Sequence, residues 1–328
     1  MHRTLRLLAI LALLAITPIA ANAATIQEVV DQISQTNIRD HMSSTIPTHL
    51  GQNRAFDMGT VGGVKVHGAQ HDMAAEAIFV AFRRTGWTTR YDPFALVDVS
   101  RTLWQGKNIV AVKQGTTRPD EIYVIAGHYD STANHETTWT TAPGADDNAS
   151  GVAGMLDMAR VFSRYTFDAT IVFLVTDGEE TTCTTSTVTY RRIGSIKYCM
   201  DHLTDNMKAM ISLDMIAWNN GSNKGRLETG YTQNTTLDAQ ITDALATYGG
   251  LGCVQNNSKN YSDHVSFANI GVPALMLIEN AWSGNPSYHR QTDSVDTPNY
   301  IDYAYCTKMV KSIAGWLCEE AGLNGVSE

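Results

Sequence analysis

The chain has 328 residues, of which 43% are hydrophobic and 17% charged, with a formal charge of -9. That is enough to build one large core or two small ones. No basic stripe occurs beyond the pairs Arg83-Arg84 and Arg191-Arg192, which argues against nucleic acid as a partner. No repeat or low-complexity run divides the sequence.

Residues 1–23 read as an export signal: Arg3 and Arg6, an apolar run from Leu7 to Ile16, Pro18, and Ala21-Asn22-Ala23 as a small-x-small cleavage site. The run is too short for a membrane anchor, which needs roughly 20 apolar residues. A secreted or periplasmic protein is therefore expected, with the mature chain starting near Ala24. Losing Arg3 and Arg6 takes the charge from -9 to -11. Residues 24–328 read as one domain, with 24–70 as an N-terminal helical segment packed on it.

In chain order, a helix is expected from Ile26 to about Met42, with Ile26, Val29, Val30 and Ile33 on one face, and a stronger one from Met73 to Phe82, ended by Gly86. Strands are expected at 91–98, 108–114, 121–127, 170–176, 209–214 and 272–279, and helices at 149–164, 188–203, 234–248 and 299–320. Alternation of this kind predicts an α/β fold with a mixed, largely parallel central sheet and helices on both faces.

All five cysteines (Cys183, Cys199, Cys253, Cys306, Cys318) lie in the expected mature part, where oxidation is permitted. The preferred bridge is Cys183 with Cys199, across a Thr-rich stretch. Cys306 and Cys318 fall on one expected helix, about 18 Å apart at 1.5 Å per residue, and cannot pair with each other.

Several strand ends carry polar residues that open α/β sheets use for ligands. The run Ile122–Ala126 ends in Gly127, followed by His128 and Asp130. Gly144-Ala-Asp-Asp-Asn-Ala-Ser-Gly151 follows, with two carboxylates inside a Gly-bounded turn. The strand Ile171–Thr176 ends in Asp177-Gly178-Glu179-Glu180, Met210–Leu213 ends in Asp214, and His289 and Asp293 follow the strand at 272–279. A carboxylate at such places must be paired, protonated or bound to metal. His128, Asp147, Glu180, Asp214 and His289 suit a pair of borderline metal ions such as zinc, one carboxylate bridging them. Two ions so held clamp an attacking water and a substrate oxygen, which is hydrolytic chemistry. Other signatures are missing: His135-Glu136 is followed by Trp139 where an H-E-x-x-H helix needs its second His, and no G-x-S-x-G elbow or phosphate loop occurs. Ser131 and Ser150 are weak nucleophile candidates, lacking a base of their own.

These segments, Gly127-His-Tyr-Asp-Ser131, Gly144 to Gly151, Gly178-Glu-Glu180, Leu213-Asp-Met215 and His289-x-x-x-Asp293, resemble in order the co-catalytic zinc aminopeptidases of the bacterial leucyl aminopeptidase type, in metallopeptidase family 28, to which the glutaminyl cyclases also belong. The resemblance runs from about residue 70 to the end. It implies two zinc ions, one on His128 and Asp214, the other on Glu180 and His289, with Asp147 bridging. It further implies Glu179 as general base, Asp130 and Asp293 as partners that orient His128 and His289, and Met215 at the wall of the side-chain pocket. Two departures stand out. Thr181 to Ile193 is inserted between the Glu-Glu pair and Gly194-Ser195, and Tyr261-Ser-Asp-His264 is preceded by Cys253 alone, where relatives often carry a disulfide. Tyr261 and His264 are candidates for substrate contact, or equally for core and capping roles. The expected activity is removal of N-terminal residues from peptides with a free amine, by a chain favoured to be monomeric and without nucleic-acid or membrane partners. Cyclisation of N-terminal glutamine and a non-catalytic binding module are the alternatives.

Overall fold

The computed structural model describes residues 24–43, 50–229, 234–256 and 261–327. The export signal read in residues 1–23 lies outside them. Strands that read as continuous apolar runs do so because each successive side chain enters a different layer. Ile125, Ile171, Phe173 and Val175 pack on one face of the sheet, and Val124, Ala126, Val172 and Leu174 on the other. The first face is covered by the helices His71–Arg84, Gly151–Phe162 and Tyr303–Glu320, the second by Ile193–Asp201 and His264–Ala268. Each large apolar side chain so enclosed contributes roughly 1.5–3 kcal/mol.

The sheet has ten strands. Its middle four, in the spatial order Ala169–Thr176, Arg118–His128, Met207–Leu213 and Ala274–Glu279, are parallel. Their ends coincide: His128 pairs with Thr176, Ala126 with Ser212, and Leu213 with Leu277. The loops that follow them therefore meet along one edge. Antiparallel strands flank this block, with Leu103–Lys113 against Ala169–Thr176 on one side and Lys224–Glu228 against Ala274–Glu279 on the other.

Four expectations need correcting. The helix expected over 26–42 is two, Ile26–Val30 and Gln35–Met42, because Ser34 caps the second through Asn37 N (3.3 Å) while its own N–H donates to Asp157 Oδ2 (2.6 Å). Both pack on the main core through Val29, Val30, Ile38 and Met42. The rest of the 24–70 segment is not helical where it is described; Thr60–Val61 and Val64–Lys65 form a small hairpin on the sheet edge. The helix expected at 188–203 starts only at Ile193, because Thr189–Arg191 pairs with Thr182–Thr184 as a second hairpin. Finally, no disulfide forms: all five cysteines are free, Cys183 packing with Phe56, Phe94 and Trp104, and Cys199 in a different layer with Tyr198 and Phe267.

Candidate metal centre

The turn Gly144–Gly151 owes almost every residue to geometry. Gly144 has φ +58, and a Cβ there would collide with Asp147 O and the Ser131 side chain, so only glycine fits. Asp146 Oδ1 accepts from Ala217 N (2.8 Å), and Asn148 Nδ2 donates to Leu213 O (2.6 Å). Ser150 Oγ donates to Asp146 O (2.7 Å) and accepts from Ile216 N (3.1 Å). These bonds fasten the turn to the segment that follows Leu213, and they occupy Ser150 structurally; Ser131 is likewise bonded to Ala142 O (2.6 Å). At Gly151 a Cβ would strike Leu213 O. What remains free to point outward is Asp147, held at non-helical dihedrals (φ -107, ψ 88).

Its carboxylate is shared. Asp147 Oδ1 lies 3.2 Å from His128 Nε2, and Oδ2 lies 3.2 Å from His289 Nε2. His128 Nε2 is also 3.5 Å from Asp214 Oδ1, and His289 Nε2 is 3.1 Å from Glu180 Oε2. The five residues expected from the sequence thus stand in one chain of contacts, Asp214 to His128 to Asp147 to His289 to Glu180. Both imidazoles turn Nε2 inward, because Nδ1 is engaged behind: on the Asp130 backbone carbonyl for His128 (3.1 Å) and on Asn134 Oδ1 for His289 (3.1 Å). A proton on each Nδ1 leaves the Nε2 lone pairs facing the carboxylates, the tautomer that metal ligation uses.

Two neighbouring acids play a part the sequence did not show. Asp130 accepts from the amides of Glu179 (3.2 Å) and Glu180 (3.1 Å), fixing that loop, and its carboxylate is 3.6 Å from His128 Nδ1. Asp293 accepts from the amides of Asp146 (2.7 Å) and Asp147 (3.1 Å). It therefore orients the backbone under Asp147; His289 is oriented by Asn134 instead. Behind Asp293 lies a buried acid pair, Asp146 and Glu279, bridged by Asn285 Nδ2 at 3.0 and 2.9 Å. Burial pushes Asp146 up to about 7, and burial and the Asp146 charge push Glu279 well above the usual carboxylate range.

Electrostatics within the centre follow from crowding. Burial alone would lower both histidines, but Asp130, Asp147 and Asp214 raise His128 well above its ordinary value, and Glu180 and Asp147 bring His289 up to about 11. Burial, then the charge of Asp147, pushes Glu180 up to about 7. Asp147 goes the other way: burial opposes ionisation, yet hydrogen bonds from His128 and His289 hold it below the usual range. Carboxylates outnumber imidazoles here, and the nitrogen and oxygen donors suit zinc. The surrounding carboxylates favour charged imidazoles, whereas ligation needs neutral ones. Zinc uptake is accordingly expected to release protons, and zinc affinity to fall as pH falls. Titration calorimetry in buffers of differing ionisation enthalpy reads this directly; uptake with no proton release would show that these imidazoles are not charged in the metal-free protein.

The centre lines a cavity of about 420 Å³, with Glu179, Met215, Met276, Ile278, Trp282 and Tyr288 among its walls. Met215, Met276 and Ile278 form one apolar cluster with Trp282 and Tyr288 against it. Tyr261 borders the cavity, 55% exposed, whereas His264 is buried at the start of a short helix and does not line it. Burial raises Glu179 well above the usual carboxylate range; the charge on His128 opposes this, and those on Glu180 and Asp214 add to it. Sequence reasoning missed Asn134, Asn285 and the aromatic wall. It also missed Arg54, which is fully buried and donates to the carbonyls of Tyr129 (2.7 Å) and Gly144 (2.8 Å), tying the segment near residue 50 to both sides of the centre.

Comparison with known proteins adds a family to this geometry. A sequence model of peptidase family M28 matches residues 108–317. An uncharacterized Escherichia coli K12 protein, YfbL, is 28% identical over 228 residues, covering 62% of this chain and 68% of that protein. A probable zinc metalloprotease of Pyrenophora teres is 29% identical over 235 residues, covering 63% of this chain and 46% of its own length. The chain thus spans about half the length of that fungal relative. Among solved structures, a glutaminyl cyclase from Macrostomum lignano superposes with a TM-score of 0.72 at 17% identity, covering 94% of this chain and 96% of its own. A zinc aminopeptidase from Bacillus subtilis does so at 0.68 and 16%, covering 88% and 95%. At such identities the structural likeness speaks for the fold alone.

Proposed function

The chain belongs to peptidase family M28, and from that premise we propose that it is an exported two-zinc aminopeptidase that removes apolar residues from the free N-terminus of peptides. The observation that carries the reading is Asp147, whose two oxygens each face the Nε2 of a different histidine at 3.2 Å, with Glu179 lining the same cavity. His128, Asp214 and Asp147 would hold one ion, and Glu180, His289 and Asp147 the other. Zinc supplies Lewis acidity, which lowers the pKa of a water and polarises a scissile carbonyl.

The remaining steps belong to the chain's own residues. Glu179, which lines the cavity and whose basicity burial raises, takes a proton from the attacking water and returns it to the departing amine. Asp130 keeps Glu179 and Glu180 in place through their amides. Carboxylates lining the cavity receive the substrate's terminal ammonium, while Met215, Met276, Ile278, Trp282 and Tyr288 enclose the side chain and exclude water from it.

A panel of aminoacyl anilides, matched N-acetylated forms and a glutamine-initiated peptide tests this with the zinc-loaded protein. Hydrolysis of leucyl anilide, lost on acetylation and on chelation, is the expected result. Cleavage of the acetylated forms at equal rate would overturn the exopeptidase reading. Ammonia release from the glutamine peptide without chain shortening would replace it with cyclisation.

A further inference from the structure

Strand order puts the two ends of the cavity on opposite sides of the metal centre. Met276 and Ile278, on Ala274–Glu279, build the apolar wall beyond the strand that leads to Asp214. The hairpin Thr182–Thr184 with Thr189–Arg191 lies at the other end, beyond the strand that leads to Glu179. It is anchored there. Cys183, with Tyr190 against it, packs on Phe94 and Trp104 from the antiparallel strands Thr88–Val97 and Leu103–Lys113, and Val99 N donates to Thr184 O at 2.9 Å. Side chains alternate along a strand, so with Tyr190 turned into that cluster Arg191 faces the other way. Arg191 lines the same cavity as Asp147, Glu179, Glu180 and Asp214. Its neighbour Arg192 also lines this cavity but has interactions of its own. Arg191 is exposed and makes no ion pair among the described residues.

A guanidinium without an ion pair at one end of a cavity rich in carboxylates, with an apolar wall at the opposite end, suits a ligand of matching polarity. That ligand has an ammonium group and an apolar side chain at its head and a carboxylate one residue further on. Extended peptide advances about 3.3–3.6 Å per residue, so the group past the scissile bond falls on the hairpin side of the centre. The planar fork of an arginine takes a carboxylate through two parallel N–H donors.

We propose that Arg191 forms a carboxylate-binding subsite for the residue that follows the scissile bond, making short peptides with a free α-carboxylate there, or an acidic side chain there, the preferred substrates. This rests on the aminopeptidase reading above. The insertion of Thr181 to Ile193 thereby acquires a purpose: it carries a guanidinium to the rim of the cavity at the end away from the apolar wall.

The test uses the full-length zinc-loaded protein and four peptides: Leu-Gly against Leu-Gly-amide for the terminal carboxylate, and Leu-Asp-amide against Leu-Asn-amide for the side chain. The readout is the ratio of kcat/KM within each pair. In the unaltered protein the charged member of at least one pair is expected to lead by up to about fivefold, as for an exposed charge pair, and added salt to shrink that lead. Arg191→Gln should bring the ratio near one, and Arg191→Lys should keep part of it. Ratios near one in the unaltered protein, or a lead that survives Arg191→Gln, would overturn the subsite and leave the aminopeptidase reading intact. Absence of turnover on all four peptides would remove both.

Discussion

Replacing Glu179 by glutamine is expected to cut turnover by about 10²–10⁴-fold while the zinc content of the protein stays the same. The separation follows from where Glu179 stands. It lines the cavity, but the carboxylates in contact with the two histidines are those of Asp147, Asp214 and Glu180. Glutamine keeps the volume and the backbone N–H that donates to Asp130 Oδ1 at 3.2 Å, so the loop is undisturbed. Only the capacity to accept a proton goes. Turnover assays beside elemental analysis of the same sample decide it, and near-normal turnover in Glu179→Gln would assign the proton transfer to another group.

A second substitution is expected to act on stability with comparable force. Directly before that loop, Asp177 is wholly buried and faces His71 Nε2 at 2.8 Å, also wholly buried. Tyr129 Oη (2.8 Å) and the Lys107 amide (3.1 Å) complete its shell. Burial would lower His71, but the charge and hydrogen bond of Asp177 bring it up to about 9. A group raised from 6.5 to about 9 contributes stability that is complete below pH 6.5 and is lost as pH climbs through 9. Asp177→Asn, which leaves the imidazolium only the exposed carboxylate of Asp72 at 3.6 Å from Nδ1, should cost about 3–5 kcal/mol at pH 6. Denaturant melts at pH 6 and pH 10 provide the check, with the deficit expected to narrow at the higher pH. An equal deficit at both would mean that His71 is neutral in the folded protein.

What the sequence disclosed, and what it hid, divides along physical lines. Ile122–Ala126 and Ile171–Val175 are apolar throughout because both of their faces are covered, and such runs stand out in any reading. Lys224–Glu228 and Gly252–Asn256 close one side of the sheet yet read as polar loops, since their side chains are only partly enclosed. The Thr182–Arg191 hairpin was legible as an inserted stretch but not as strands, its own pairing being only three residues long on each side. The candidate ligands His128, Asp147, Glu180 and Asp214 were legible because each follows a buried strand or sits in a Gly-bounded turn, whereas His289 stood in a loop ten residues past its strand. Their supports were not: Asn134 meets His289 across 155 positions, and Asp293 meets the Asp147 amide across 146, contacts that leave no local pattern. Arg54 sits in a polar run, Gly51-Gln-Asn-Arg54, indistinguishable from surface until its burial is seen. The expected Cys183–Cys199 bridge failed because closeness in sequence across a hairpin says nothing about which side of the sheet each thiol enters.

The grip of Asp293 on the Asp146 and Asp147 amides also dictates when the candidate centre can first assemble. Synthesis proceeds from the amino end, so His128, Asp147, Glu180 and Asp214 all leave the ribosome well before residue 293. Until that last clamp arrives, the turn bearing the shared carboxylate lacks its backstop and His289 has not been delivered. A nascent or prematurely terminated chain therefore carries an incomplete metal centre until the residues around 293 have been made.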